Sequence, residues 1–299
     1  VHTDTGRPIQ GSEVSIGKTG NITVELPKGV DMDSKHQVTV IVTDPQKVPQ
    51  KNINVIVKND LGDKATGKTD KNGEVTVPEV ERTEHHSAYV VGYTDGTFGP
   101  ERNMTRSEAA AIFARLLADK NGGNISPVAK TKFSDVPAYA WYSGYVKYLN
   151  NNGVTYGNSK TNFAPDKQIT RAEFTTLAVR FFDVYGDGDA EIMEQFKSFE
   201  DVSDGYWAAE YIKAAAKHGW ITGYGDGSFR ADRQITRAEV MTIVNRLLGR
   251  AADLEYVSDN LRKLNTFPDV SRRYWAYSDI LEAANAHNAI LGTEESWYK

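Results

Sequence analysis

The chain has 299 residues, 39% of them hydrophobic and 25% charged, with a formal net charge of -5 and no cysteine. This is the composition of a soluble globular protein with room for two ordinary domains, and it excludes disulfides, thiol catalysis and cysteine-based zinc sites. The acidic balance repels nucleic acid, so any anion the protein binds must meet a local cluster of cations.

Residues 1 to about 84 alternate in period two. Asn21–Leu26, Gln37–Val42 and Asn54–Val57 read as half-buried strands. Asn72-Gly73, between Thr66–Thr69 and Glu74–Val77, is a hairpin signal, because both turn residues tolerate positive φ. The half-motifs Gly6–Gly11 and Lys47–Gln50 each precede an alternating strand. Together they predict a small all-β sandwich over residues 1–84, and the stretch resembles the immunoglobulin-like or transthyretin-like spacer modules of bacterial surface proteins. The start, Val1-His2-Thr3-Asp4, lacks a signal-peptide pattern and reads as that of a mature or excised fragment. No run of about 18 apolar residues is available for membrane insertion.

From residue 85 to 299 the pattern changes to paired helices with Gly-rich loops, and a fixed-distance repeat appears. Met104-Thr105-Arg106-Ser107-Glu108 recurs as Ile169-Thr170-Arg171-Ala172-Glu173 and as Ile235-Thr236-Arg237-Ala238-Glu239. Phe98, Phe163 and Phe229 stand eight residues before each arginine. Phe133-Ser134-Asp135-Val136 recurs as Phe199-Glu200-Asp201-Val202 and Phe267-Pro268-Asp269-Val270, with Trp141, Trp207 and Trp275 six residues after each aspartate. Loops opening on Gly92, Gly157 and Gly223 precede the threonine-arginine motifs, and the middle one lacks the Asp-Gly turn of the other two.

Thr105, Thr170 and Thr236, each followed three residues later by Glu, predict reciprocal capping boxes. Downstream, Ile112, Phe113, Leu116 and Leu117, with their counterparts Phe174, Leu177, Ala178 and Phe181 and Val240, Ile243, Val244 and Leu247, form apolar helix faces. The arginine at the first helical position opposes the helix dipole. Two readings account for it. One is an anion held by the guanidinium and exposed amide donors; the other is an ion pair to Asp135, Asp201 or Asp269. The tryptophans divide between core wedge and ligand wall, and the aspartates between helix cap and sugar acceptor. The pairs Glu101-Arg102, Asp166-Lys167 and Asp232-Arg233 read as solvated turn residues.

These motifs closely resemble the surface-layer homology (SLH) family, over some 210 residues. The order is offset: the first unit lacks its Phe-x-Asp-Val and Trp helix, which arrives last, at Phe267 to Asn288. The resemblance implies a pseudo-threefold, all-α trimer of helix pairs around a central three-helix core, so the whole is a multidomain chain with that trimer after the sandwich. It also implies an extracellular, cell-wall location and a non-catalytic anchor. The implied partner is pyruvylated secondary cell-wall polysaccharide, the arginines meeting the carboxylate of a pyruvate ketal on N-acetylmannosamine. The implied ligand-binding residues are then Arg106, Arg171, Arg237, Trp141, Trp207, Trp275, Asp135, Asp201, Asp269, Gly92, Gly157 and Gly223. The absence of cysteine agrees with an exported Gram-positive protein.

No acid-base or nucleophile constellation repeats, so no enzyme, cofactor or metal is expected; the rival reading is a structural or adhesive protein that self-assembles. His85-His86 and His287 approach if the ring of repeats closes, a minor reading as a metal or pH-sensing spot against ordinary unliganded histidines. Asp187–Glu191 brushes against a calcium loop but has Ser198 where the bidentate glutamate should stand, and reads as an acidic linker.

Overall fold

The computed structural model describes residues 13–16, 22–25, 39–58, 64–76, 82–186, 198–291 and 296–298. The half-motif at Gly6–Gly11 and the acidic stretch Asp187–Glu191 lie outside the described residues. Two compact units emerge, Val1–His85 with Asn288–Lys299, and His86–His287. Residues 288–299, which the sequence reading put with the helices, group with the first unit.

In the first unit, β1 (Glu13–Ile16), β2 (Ile22–Glu25), β4 (Asn54–Lys58) and β5 (Lys64–Lys68) form a sheet in the order β1-β2-β4-β5, with β2 and β4 parallel. A second pair joins β3 (Thr39–Ile41) to β6 (Glu74–Thr76). Alternation works as expected from a period of two: Val24, Val55 and Val57 from the first sheet meet Val40 and Val75 from the second in one apolar cluster. The expected hairpin at Asn72-Gly73 needs correcting. Gly73 does take positive φ, at 71°, and Asp70 caps the turn by accepting from the amides of Asn72 and Glu74. Yet β5 pairs with β4 and β6 with β3, so the turn carries the chain between sheets. Gly67 lets the two sheets approach closely at this point, since a Cβ there would lie 2.4 Å from Val75 Cγ2. A further sheet is ordered β7 (Arg82–His86), β8 (His287–Leu291), β9 (Ser296–Tyr298).

In the helical unit, the three threonine-arginine motifs start α1 (Arg106–Lys120), α3 (Arg171–Tyr185) and α5 (Arg237–Leu248). All three capping boxes form, Thr Oγ1 accepting the N3 amide and Glu accepting the N-cap amide. Each long helix pairs with a short one: α2 (Ser143–Asn151), α4 (Ala209–Lys217) and α7 (Tyr277–Ala284) respectively, while α6 (Leu254–Asn260) lies between α5 and α7 in the chain. The predicted apolar faces are buried, except that Leu177 is half-buried. α1 and α3 interlock through Phe113, whose ring lies 5.4 Å from Phe174 and 4.7 Å from Phe181.

The centre is closed by backbone. Met104 N–H donates to Ile235 O, Ile235 to Ile169 O, and Ile169 to Met104 O, at 3.0, 3.1 and 2.9 Å. One residue before each capping threonine thus completes a triangle of amides, with its three side chains buried around it. The offset half-unit docks onto the first loop, as the family resemblance implies: the Phe267 ring lies 5.2 Å from Phe98, matching Phe133 on Phe163 at 5.6 Å and Phe199 on Phe229 at 5.2 Å. No helix among the described residues is long and apolar enough to cross a membrane.

Candidate functional site

The arginine motifs lie at the seams between repeats. Arg106 Nε donates to Phe163 O at 2.8 Å, Arg171 Nε to Phe229 O at 2.8 Å, and Arg237 Nε to Phe98 O at 2.9 Å, so each guanidinium reaches the loop of the next unit around the ring. The exposed amide donors expected at these helix starts are already used. Arg106 N and Ser107 N donate to Lys167 O and Pro165 O, and the same pattern joins α3 to Arg233 and Ala231 and α5 to Arg102 and Pro100. An anion at this place must therefore be met by side chains.

The remaining guanidinium nitrogens differ between seams. Arg171 Nη1 is 3.1 Å from Glu239, and Arg237 Nη2 donates to Val91 O at 3.1 Å. Arg106 has a looser partner, Glu173 at 3.8 Å. All three side chains are mostly buried, and burial pulls their pKa values down from the usual one, with Glu173 and Glu239 pulling those of Arg106 and Arg171 back up. An arginine keeps its proton regardless, so each seam holds a fixed positive charge in a partly dry setting.

The aspartates do not pair with these arginines, nor do they cap their own helices, contrary to both structural readings of the sequence. Asp135 accepts the amides of Phe163 and Ala164 at 2.8 and 2.6 Å, Asp201 those of Phe229 and Arg230 at 2.7 and 2.7 Å, and Asp269 those of Phe98 and Gly99 at 2.9 and 2.7 Å. The second donor in each pair has left-handed backbone, φ 57°, 58° and 67° at Ala164, Arg230 and Gly99. Two adjacent amides can converge on one carboxylate in such a turn. Each aspartate is thus a staple that fixes the carbonyl on which the next arginine depends.

The loop glycines are explained by the same packing. A Cβ at Gly92, Gly157 or Gly223 would stand 2.5, 2.4 or 2.4 Å from Cε1 of Phe267, Phe133 or Phe199. The middle loop closes without Asp-Gly, because Asn158 and Ser159 amides both donate to Asn162 O and the Ser159 hydroxyl accepts the Asn162 amide. Nor are the acid-base pairs simply solvated. The Tyr206 hydroxyl donates to Asp232 at 2.7 Å, and burial followed by that carboxylate pushes its pKa up to about 12. Tyr274 donates likewise to Glu101, while Lys167 and Arg233 reach Glu173 and Glu239.

Open clefts stand beside two seams. The one at Arg106 measures about 200 Å³ and is walled by Thr155, Gly157, Asn158, Glu173, Arg180 and Trp207. The one at Arg171 measures about 220 Å³ and is walled by Gly223, Tyr224, Glu239, Thr242, Arg246 and Trp275. Trp141, Trp207 and Trp275 are 56%, 57% and 58% exposed, each standing just before a short helix. A second arginine lines each cleft and was missed by sequence reasoning. Arg115, Arg180 and Arg246 all follow a motif arginine by nine residues, a regularity as complete as the motif itself. Arg180 lies against Tyr211 and Tyr156, and Arg115 takes the equivalent place on Tyr145.

The pattern of matches to known families agrees with this geometry: residues 85–110, 132–175 and 198–241 match the S-layer homology domain. The helical unit is built of S-layer homology repeats. Similar chains include cell surface glycoprotein 1 of Acetivibrio thermocellus, 38% identical over 70% of this chain and 9% of that protein. The cellulosome-anchoring protein of the same organism is 35% identical over 74% of this chain and 47% of its own length. The surface-layer 125 kDa protein of Lysinibacillus sphaericus is 32% identical over 53% of this chain and 13% of that protein. The chain thus spans less than half the length of each. The SLH repeats and these relatives place it outside the cell, at the cell surface.

Proposed function

We propose that the SLH unit anchors a surface protein non-covalently to the cell wall by binding an anionic secondary cell-wall polysaccharide, pyruvylated on a terminal N-acetylmannosamine. The observation that carries this is the lining shared by the two clefts. Each is lined by a buried motif guanidinium (Arg106 or Arg171), a second arginine (Arg180 or Arg246) and an exposed tryptophan (Trp207 or Trp275). Two guanidinium groups suit a carboxylate, since each offers directed donors. An indole face beside them suits the apolar side of a sugar ring.

In this reading Arg106, Arg171, Arg237 and the three tryptophans touch ligand. Asp135, Asp201, Asp269, Gly92, Gly157 and Gly223 act by holding the loops in place. The unit performs no catalysis. The N-terminal strands, whose two sheets share one valine cluster, serve as a β-sandwich spacer of immunoglobulin-like or transthyretin-like kind over residues 1–84, ahead of the SLH repeats.

Calorimetry with a synthetic pyruvylated N-acetylmannosamine and its non-pyruvylated counterpart tests the reading. Saturable binding of the first alone is expected. Equal heats from both, or concentration-dependent assembly of the protein without any wall material or sugar binding, turns the assignment toward a self-assembling structural protein.

A further inference from the structure

Away from the clefts, the two ends of the helical unit meet at a buried cluster that polysaccharide binding does not use. His86 closes β7, Glu282 stands in the last turn of α7, and His287 opens β8 five residues later. The three are 2%, 1% and 7% exposed. Both carboxylate oxygens of Glu282 are buried and accept no hydrogen bond from the described residues, although a buried carboxylate is costly unless a cation or donor meets it. What faces it is a pair of imidazole nitrogens. His86 Nδ1 is 3.6 Å from Glu282 Oε1, and His287 Nε2 is 3.5 Å from Glu282 Oε2. The two nitrogens are 3.2 Å from one another.

We infer that His86, Glu282 and His287 form a binding site for one divalent transition-metal ion of the zinc class, which clasps the entry of the SLH unit to its exit. Zinc takes imidazole nitrogen and carboxylate oxygen at about 2.0–2.1 Å in tetrahedral geometry, so its ligand atoms stand about 3.3–3.4 Å apart. The two nitrogens are 3.2 Å apart, each is 3.5–3.6 Å from its own oxygen of Glu282, and one ligand atom from each of the three residues lies within 4.8 Å of the others, so a small closing of the trio reaches those edges. The imidazole planes cross at 80°, so the rings approach without stacking. His287 is set for the task by its other nitrogen. Nδ1 lies 3.0 Å from Asn285 O, and a carbonyl can only accept, so Nδ1 carries the proton and Nε2 presents its lone pair. Fixing a ligand tautomer through a backbone carbonyl is the usual outer-shell arrangement of metal-bound histidine. The ligand set, two neutral imidazoles and a carboxylate, leaves one tetrahedral position for water and one net positive charge on the ion. With no exposure at the Glu282 side chain, substrate has no route in, so the role is structural.

The alternative is a trio that shares a proton and holds no metal. Side-chain nitrogen NMR of histidine separates the two on the unaltered full chain, stripped with chelator and then titrated with zinc. The metal site predicts that His86 Nδ1 and His287 Nε2 signals move together and saturate at one zinc per chain. It also predicts that cobalt gives tetrahedral absorption bands and that the midpoint of thermal unfolding rises by about 5–10 °C when zinc exceeds its Kd a hundredfold. Glu282→Gln, which keeps the shape and removes the charge, should weaken zinc at least tenfold, while His85→Ala should leave it unchanged. Signals that respond to pH and stay still with zinc, or zinc binding that survives Glu282→Gln undiminished, overturn the proposal. Failure here leaves the sugar calorimetry untouched, because the clefts share none of these residues.

Discussion

Asp269 and Phe98 are joined across 171 residues of chain by a 2.9 Å hydrogen bond from the Phe98 amide to the aspartate carboxylate. Together with the Gly99 amide on the other oxygen, this bond completes the offset first unit from the far end of the repeat region. Asp135 and Asp201 make the same bonds across 28 and 28 residues. Closing the longest loop is thus entrusted to the same local chemistry as the two short ones.

Replacing Asp269 with Ala strands two amides that the carboxylate now meets, at a cost of about 2–4 kcal/mol. Urea unfolding should report that loss, and hydrogen exchange should show the segment 267–287 opening ahead of the rest. Asp135→Ala should cost a similar amount without this selective release, since its partners lie in neighbouring sequence. Equal exchange patterns in the two variants would contradict the idea that Asp269 closes the ring.

Gly92→Ala isolates a steric effect, because its φ is outside the left-handed region whereas those of Gly157 and Gly223 are inside it. The added methyl would meet Phe267 Cε1 at 2.5 Å and Thr97 O at 2.9 Å. Overpacking of this kind costs about 1–3 kcal/mol. Adding Phe267→Leu should return part of the loss, which a double-mutant cycle measures as a coupling; purely additive costs would mean that the ring is not the obstacle.

Much of this architecture was legible beforehand, and the reason is periodicity. Thr105 with Glu108 states a helix start in four residues, and threefold repetition states that the start is shared. What the repeats could not disclose is partner identity. An aspartate six residues before a tryptophan looks the same whether it binds an arginine, a helix end or a distant loop; only the left-handed turn at Ala164, Arg230 and Gly99 shows that two amides converge on it. Arg115, Arg180 and Arg246 were hidden differently, since their helices were read for the apolar face alone. The Asn72-Gly73 turn was correctly located and its strands wrongly paired, because turn chemistry is local, whereas the partners of β5 and β6, β4 and β3, lie elsewhere in the chain.

Among the arginines, Arg180 gives the cleanest test of the cleft. It stands on the wall of the Arg106 cleft, bonding the Tyr211 hydroxyl at 3.1 and 3.3 Å, and among the described residues holds no backbone of a neighbouring repeat. Arg180→Ala should cost about 1 kcal/mol or less in stability and lower affinity for pyruvylated sugar about tenfold or more, the usual scale for a charge-assisted bond. Arg106→Ala should lower affinity further, because its terminal nitrogens have the loosest protein partner, while Arg237→Ala should cost stability as well as affinity, since it also holds both Phe98 O and Val91 O. Calorimetry and urea unfolding on the same three variants separate these effects. Unchanged sugar affinity in Arg180→Ala and Arg106→Ala, with the fold intact, would remove both residues from the site.

The seam at Arg171 should fail first in acid, through Glu239. One oxygen of this carboxylate meets Arg171, Arg233 and the Tyr224 hydroxyl, and the other accepts the Thr236 amide. Burial pushes its pKa up, but the Thr236 bond, Arg171, Tyr224 and Arg233 outweigh that and hold it below the usual glutamate value. A depressed carboxylate pKa means that the unfolded chain binds the proton more readily than the folded one. The stabilisation is therefore complete above the unfolded value of about 4.3 and disappears as pH falls through the folded value. Wild type and Glu239→Gln should differ most in unfolding free energy between about pH 6 and 7, with the difference shrinking below about pH 4. A gap that stays constant down to pH 3 would mean that the ionised carboxylate adds nothing beyond the shape of its side chain, and that Arg171 is held by Phe229 O alone.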